Sequence, residues 1–225
     1  KRKTVRILVC AATLPELQTF SEETRELVLS EANPFVQKGE QGFLLTGVGL
    51  PAALATLFSV LPTCRPEQIL NIGIAGAYPN SGLQIGDVVM GESEVYGDIG
   101  FELPEAPYFQ SISESRFAGS LYANPFSLYC VQEWITPSVR FGRGSTVNSC
   151  TGSEQVGLAR EQVLQAHFET MEGAAVAQVG KQFEIPVCEV RTISNIASTR
   201  DMRLENIRFA LERLRAHFGA CREER

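Results

Sequence analysis

The chain has 225 residues, a formal net charge of −6, and 44% hydrophobic against 20% charged residues, with a pI near 5.1. An acidic chain of this kind lacks the basic surface that phosphate backbones require, which argues against a nucleic-acid polymer as partner. Its length suits one α/β domain over residues 1–225 with one sizeable core. Six cysteines are widely spread with no CxxC pair, and the only histidines are His167 and His217. That inventory supports neither a zinc site nor a Ser-His-Asp triad. No apolar run approaches about 18 residues and no leader peptide is evident, so a soluble, cytoplasmic protein without a membrane partner is expected.

Residues 4–10 form an apolar, β-rich run, read as a buried strand. It leads into Thr13, Leu14, Pro15 and Glu16, where Thr13 caps a helix and Glu16 completes a capping box. Glu16 thus has two readings: a capping carboxylate, or a carboxylate aimed into a pocket at the end of the first strand. A helix is expected over residues 17–31, with Glu22, Glu23, Arg25 and Glu26 on its polar face. Residues 43–48 give a strand that ends in Gly47, Val48 and Gly49, and the two glycines permit a tight turn and close approach to a ligand. Residues 52–61 read as a small-residue helix. The next strand, residues 68–74, closes in a glycine-rich turn over 73–77. There the backbone N–H groups around Ala75 and Gly76 either meet a ligand or simply start a strand-to-helix turn.

Residues 83–90 give a turn feeding a strand. Residues 97–127 are rich in Gly, Pro, Ser and aromatics, including Phe101, Tyr108, Phe117 and Tyr122. Such an irregular insertion walls a pocket, forms a subunit contact, or packs on its own aromatics. Residues 140–150 read as a glycine-interrupted strand edge and 157–165 as a helix. Over 205–218, Ile207, Ala210, Leu211, Leu214 and Phe218 recur at helical spacing and are expected in the core. Strand and helix alternate, so the expected fold is α/β: a three-layer sandwich with helices flanking a mixed, twisted central sheet.

Two stretches concentrate the chemistry. In residues 168–177, Glu172 heads a small-residue helix that can pack tightly. Residues 185–195 read as a buried strand that presents Ser194 and Asn195 at its carboxyl end, where ligands of open α/β sheets sit. A carboxylate and an amide meeting there suit a polar, ring-bearing small molecule. No residue cluster implies a metal or redox cofactor.

These segments, in order, resemble the nucleoside phosphorylase superfamily, and within it the hydrolase branch typified by methylthioadenosine/S-adenosylhomocysteine nucleosidase. Residues 12–17 resemble that branch's first catalytic loop and place Glu16 on its glutamate. Residues 71–76 resemble the ribose-edge turn, and residues 83–89 the LxxGDxV signature. Met171, Glu172, Gly173, Ala174 and Ala175 resemble the ribose-binding run, and residues 191–195 the base-binding end. The resemblance spans about residues 5 to 200. It implies a purine nucleoside substrate, no cofactor, and a homodimer or larger homo-oligomer. The first loop lacks the glycine and arginine with which phosphorylases hold phosphate, so hydrolysis is implied.

At one position the sequence departs from the adenine-specific members, which carry Asp where this chain has Asn195. A following run through Arg200 and Asp201 resembles the branch's hypoxanthine-releasing members of menaquinone biosynthesis. Hypoxanthine presents two acceptors, N7 and O6. An Asn amide donates to O6 and accepts from N7–H once the leaving base is protonated. The resemblance then implies these roles: Glu16 activates water, Glu172 binds the ribose hydroxyls, and Asn195, beside Ser194, stabilises the base. Met171 and Val147 pack on sugar or base, with Ala75 and Gly76 at the ribose edge. Arg200 either pairs with a distal substrate carboxylate or makes a surface ion pair with Asp201. An adenine-specific nucleosidase and a non-catalytic nucleoside-binding protein remain the alternatives.

Overall fold

The computed structural model describes residues 4–105, 109–117, 119, 125–198 and 203–223. The first half of the chain gives β1 (Ile7–Ala11), α1 (Leu14–Leu17), β2 (Phe35–Lys38), β3 (Gln41–Leu45), α2 (Leu50–Cys64) and β4 (Gln68–Ala77). Then come β5 (Val88–Tyr96), β6 (Gly100–Glu102), β7 (Phe109–Ser111), β8 (Phe126–Ser127) and β9 (Arg140–Thr146). The chain closes with α3 (Glu154–Leu164), β10 (Phe168–Thr170), α4 (Gly173–Gln182), β11 (Val187–Ile196) and α5 (Leu204–Glu223).

One mixed sheet runs β10-β9-β5-β11-β4-β1-β3-β2, and β10 also pairs with β4, which closes part of the sheet on itself. The period-2 alternation of β1 shows how the layers form. Ile7, Val9 and Ala11 face one core with Leu17, Leu214 and Phe218. Leu8 and Cys10 face the other, with Leu57 and Leu61 of α2 and Val176 and Val179 of α4. A strand buried on both faces needs helices on both sides, and the expected three-layer arrangement is what forms.

Four expectations change. The helix expected over residues 17–31 is absent: α1 stops at Leu17, and a 3-10 turn spans Glu22–Glu26. Leu17, Phe20, Thr24 and Leu27 are buried at helical spacing, but Thr19 and Leu29 are buried as well and Val28 is exposed between Leu27 and Leu29, the alternation of extended chain. Thr24 also donates its hydroxyl to the Ser21 carbonyl at 2.5 Å, diverting the local backbone from a helical ladder. Second, residues 73–77 do not turn. β4 continues to Ala77 because it is paired on both sides to its end, with Ile193 and Asn195 of β11 and with Phe168 and Glu169 of β10. Third, β9 lies inside the sheet between β5 and β10 rather than at an edge. Fourth, β2 was not expected; it folds back on β3 through a turn at Gly39, whose φ is +62°.

The region 97–127 holds the β6–β7 hairpin and β8, and Tyr108 and Tyr122 lie outside the described residues. Among the described residues no helix is long and apolar enough to cross a membrane.

The carboxyl half of α5 is anchored by an aromatic cluster. Phe20 lies 5.3 Å from Phe218 and 5.7 Å from Trp134, ring centre to ring centre, in edge-on geometry. His217 sits beside it, buried, and burial pushes its imidazole down from 6.5 to about 4. The folded chain therefore holds His217 neutral while the unfolded chain takes up a proton below 6.5. Stability linked to this group is complete above pH 6.5 and falls as pH drops toward 4, by about 3 kcal/mol in all. Denaturant midpoints measured between pH 7 and pH 4.5 should therefore fall less steeply for His217→Gln than for the parent chain.

Candidate active site

Three carboxyl-end junctions of the sheet meet at one cavity of about 500 Å³. From the β1–α1 junction comes Glu16, 7% exposed. Its Oε2 accepts from the Thr13 amide at 3.0 Å and the Thr13 hydroxyl at 2.6 Å, and its Oε1 accepts from the Ile74 amide at 3.0 Å. Both readings of Glu16 therefore hold, since the carboxylate that caps α1 also lines the cavity.

Glu172 occupies the N-cap position of α4, 5% exposed. Its Oε1 accepts from the Gly49 amide at 2.7 Å. Gly49 has φ +89°, a conformation that disfavours a side chain, and this lets the backbone reach the carboxylate. Burial raises the Glu172 carboxyl from 4.5 to about 6; the Arg191 charge and the Gly49 amide oppose that rise, and Glu16 and Glu189 add to it.

At the end of β11, a bulge between Ile193 and Asn195 breaks the register with β4. The strand is pinned just before it: the Ile193 amide donates to the Asp87 carbonyl at 2.9 Å, and the Gly86 amide donates to the Ile193 carbonyl at 2.8 Å. The Gly-Asp pair of residues 83–90 thus fixes where the bulge begins. Beyond it, the Ser194 hydroxyl lies 2.9 Å from Asn195 Oδ1 and 3.2 Å from the Ala75 carbonyl. Asn195 Nδ2 donates to the Ile196 carbonyl at 3.3 Å. Each end of the amide is tied once, which leaves one lone pair and one hydrogen for a ligand.

Ala75, Gly76, Met171, Ser194 and Asn195 line the same cavity as the two glutamates. Val147 does not. It is fully buried, and its amide donates to the Thr170 carbonyl at 2.9 Å, so its backbone is committed to the neighbouring strand. Arg200 and Asp201 lie outside the described residues. Among the described residues, the cavity wall contains no Lys or Arg, and no group of His, Cys, Asp and Glu is placed to hold a metal.

Sequence reasoning missed several residues. Ile207 and Leu211, expected in the core, line the cavity with Pro15 and Val48, while Ala210, Leu214 and Phe218 of the same stripe are buried in the core. Glu169 also lines the cavity; it accepts from the Thr151 amide at 2.8 Å and the Thr151 hydroxyl at 2.6 Å, which holds the loop carrying Cys150. Arg191 is 1% exposed and pairs through Nε with Glu189 at 2.9 Å. Two charges at alternate positions of an apolar strand, hence on one face, were the available signal.

The Phosphorylase superfamily matches residues 7–221. The chain is 30% identical over 190 residues to futalosine hydrolase of Thermus thermophilus, covering 80% of this chain and 83% of that one. It is 27% identical over 170 residues to 5'-methylthioadenosine/S-adenosylhomocysteine nucleosidase of Haemophilus ducreyi, covering 68% and 66%. The fold matches the Streptococcus pneumoniae MTA/SAH nucleosidase with 8-aminoadenine at a TM-score of 0.74, 20% identity, 97% and 99% coverage. A futalosine hydrolase mutant of Helicobacter pylori gives a TM-score of 0.69 at 18% identity, with 98% and 99% coverage. The chain belongs to the phosphorylase superfamily, and within it stands with the nucleosidases, which are hydrolases of N-glycosyl compounds. Of the two sequence relatives, futalosine hydrolase shares more identity over more of the chain.

If ionised Glu172 is required for turnover, activity falls as pH drops through about 6, because protonation removes its charge. A pH profile of kcat/KM for base release should show that acid limb, and Glu172→Gln should lose roughly a hundredfold or more in kcat.

Proposed function

We propose that the protein hydrolyses the N-ribosidic bond of futalosine and releases hypoxanthine, a step of menaquinone biosynthesis. The observation that carries this reading is Asn195, a neutral amide tied by two hydrogen bonds at the wall of the cavity that Glu16 and Glu172 also line. The bond from C1′ of the ribose to N9 of the base breaks, and its electron pair leaves with the base. Positive charge develops on the ribosyl ring, as in glycoside hydrolysis. Glu172 accepts from the ribose hydroxyls and stabilises that charge. Glu16 takes a proton from the attacking water as its oxygen bonds to C1′.

Asn195 donates through Nδ2 to O6 of hypoxanthine and accepts at Oδ1 from N7–H, with N7 protonated by solvent. Met171, Ala75 and Gly76 shape the ribose end, and Ser194 holds Asn195. The apolar wall of Pro15, Val48, Ile207 and Leu211 suits an aryl group on the 5′ arm, and Arg200 is assigned to its distal carboxylate. With no Lys or Arg in the described wall and Glu16 lining it, water rather than phosphate is the supported nucleophile. The similarity to an adenine-releasing nucleosidase keeps methylthioadenosine and aminodeoxyfutalosine as the second reading.

Incubation with futalosine, aminodeoxyfutalosine and methylthioadenosine, side by side, tests the assignment. Hypoxanthine should appear from the first at a rate that added phosphate does not change. Predominant adenine release, or a sugar 1-phosphate product, would refute it. Asn195→Asp should lower kcat/KM for futalosine by roughly ten- to a hundredfold and narrow the preference against adenine nucleosides.

A further inference from the structure

Beneath the cavity floor lies a second set of charges that the cleavage proposed above does not use. Glu189 and Arg191 share one face of β11 and are each 1% exposed. Glu189 Oε1 accepts from Arg191 Nε at 2.9 Å and from Asn71 Nδ2 at 3.0 Å. Arg191 reaches from there toward the site: a methyl group on Gly73 would come within 2.5 Å of Arg191 Nη1 and 2.6 Å of Glu16 Oε1. On the far side, a methyl group on Gly173 would meet Glu94 Oε1 at 2.2 Å and Glu189 Oε1 at 2.8 Å. Glu94 accepts from the Thr146 hydroxyl at 2.9 Å and the Thr170 hydroxyl at 3.2 Å. Burial, followed by the charge of Glu189, pushes the Glu94 carboxyl up from the usual carboxylate range.

This pair is a poor device for stability. Burying an ion pair costs several kcal/mol per ion, and an apolar pair of similar volume commonly does as well. Here Arg191 Nη2 and Glu189 Oε2 are buried without any protein partner among the described residues. An arrangement that leaves such atoms unpaired points to a functional demand. The demand is electrostatic. A fixed guanidinium close behind Glu16 and Glu172 opposes a positive charge growing on the ribosyl ring unless a carboxylate balances it.

We propose that Glu189 is a positioning residue for the N-ribosidic cleavage: it holds Arg191 through Nε and balances its charge, so that the carboxylates of the site face the developing cation unopposed. The proposal rests on the nucleosidase reading. The titratable groups around Glu172 are Glu16 from α1, Arg191 and Glu189 from β11, Glu94 from β5 and Glu169 from β10, and the Gly49 amide ahead of α2 donates to it. Removing the Glu189 charge leaves Arg191 balanced by Glu16 and Glu172 alone, and both the lost repulsion and the freed guanidinium lower the pH at which Glu172 ionises.

The test uses the full chain and whichever of the three nucleosides it cleaves fastest. Glu189→Gln should reduce kcat roughly ten- to a hundredfold with little change in KM, and should move the acid limb of kcat/KM down by about one pH unit. It should weaken a cationic iminoribitol analogue at least tenfold while leaving the affinity for the neutral free base unchanged. Glu189→Asp keeps the charge and should keep the limb, which preserves a readout if the Gln variant does not fold. Glu94→Gln leaves the Glu189–Arg191 pair in place and should turn over near the parental rate. A fall in kcat for Glu189→Gln with limb and cation affinity unmoved would reduce Glu189 to a structural role. A Glu189→Asp limb displaced as far as that of Glu189→Gln, or equal damage from Glu94→Gln, would also overturn the proposal. A parent chain that releases no base from any nucleoside would instead remove the nucleosidase reading itself, and this proposal with it.

Discussion

The parallel pairing of β4 with β11 is the constraint on which both fold and site depend. It runs from Val187 opposite Ile69 to Ile196 opposite Ala77, and one irregularity interrupts it, at Ser194. Below the irregularity, both strands are buried on both faces and join the two apolar layers. Above it, the same backbone delivers Asn195 to the cavity. A one-residue slip would turn Glu189 and Arg191 to the opposite face. The site therefore does not rest on loops arranged around a finished scaffold, because its charged floor is part of the central pair of strands.

The fold was legible because its period-2 runs and small-residue helices agree with one another. β1, β11, α3 and α4 follow from apolar pattern and helix-start chemistry. The failures have local causes. Residues 17–31 contain good helix formers, yet Ser21 and Thr24 bond locally to each other and Leu27 and Leu29 are buried two positions apart, as in extended chain. Residues 73–77 carry glycines that suggest a turn, but Gly73 is small because Arg191 and Glu16 both lie over it. A one-dimensional reading of glycine favours local geometry, and here the reason comes from side chains more than 50 positions distant on one side and more than 100 on the other.

The cavity was partly legible for the same reason. Glu16, Glu172 and Asn195 sit at element ends, where patterns announce themselves. Val147 was misplaced because burial near a site does not bring a side chain to its surface. Arg191, Glu189 and Glu169 stand inside the stretches singled out but receive no role of their own, because a charge inside an apolar strand finds its meaning only once its neighbours across the sheet are known. Arg191 sits among carboxylates supplied by α1, α4 and β11 itself, and periodicity along one strand carries no information about the other two elements.

Helix α5 gives its apolar stripe two kinds of neighbour. Toward its carboxyl end the stripe is sealed by Phe20 and Trp134, and toward its amino end Ile207 and Leu211 border the cavity. The protein therefore leaves the last stretch of one hydrophobic layer unfinished. An apolar ligand group seated there would complete that layer as a borrowed side chain, and selectivity for it would follow the rules of size and shape that govern substitution in a protein interior.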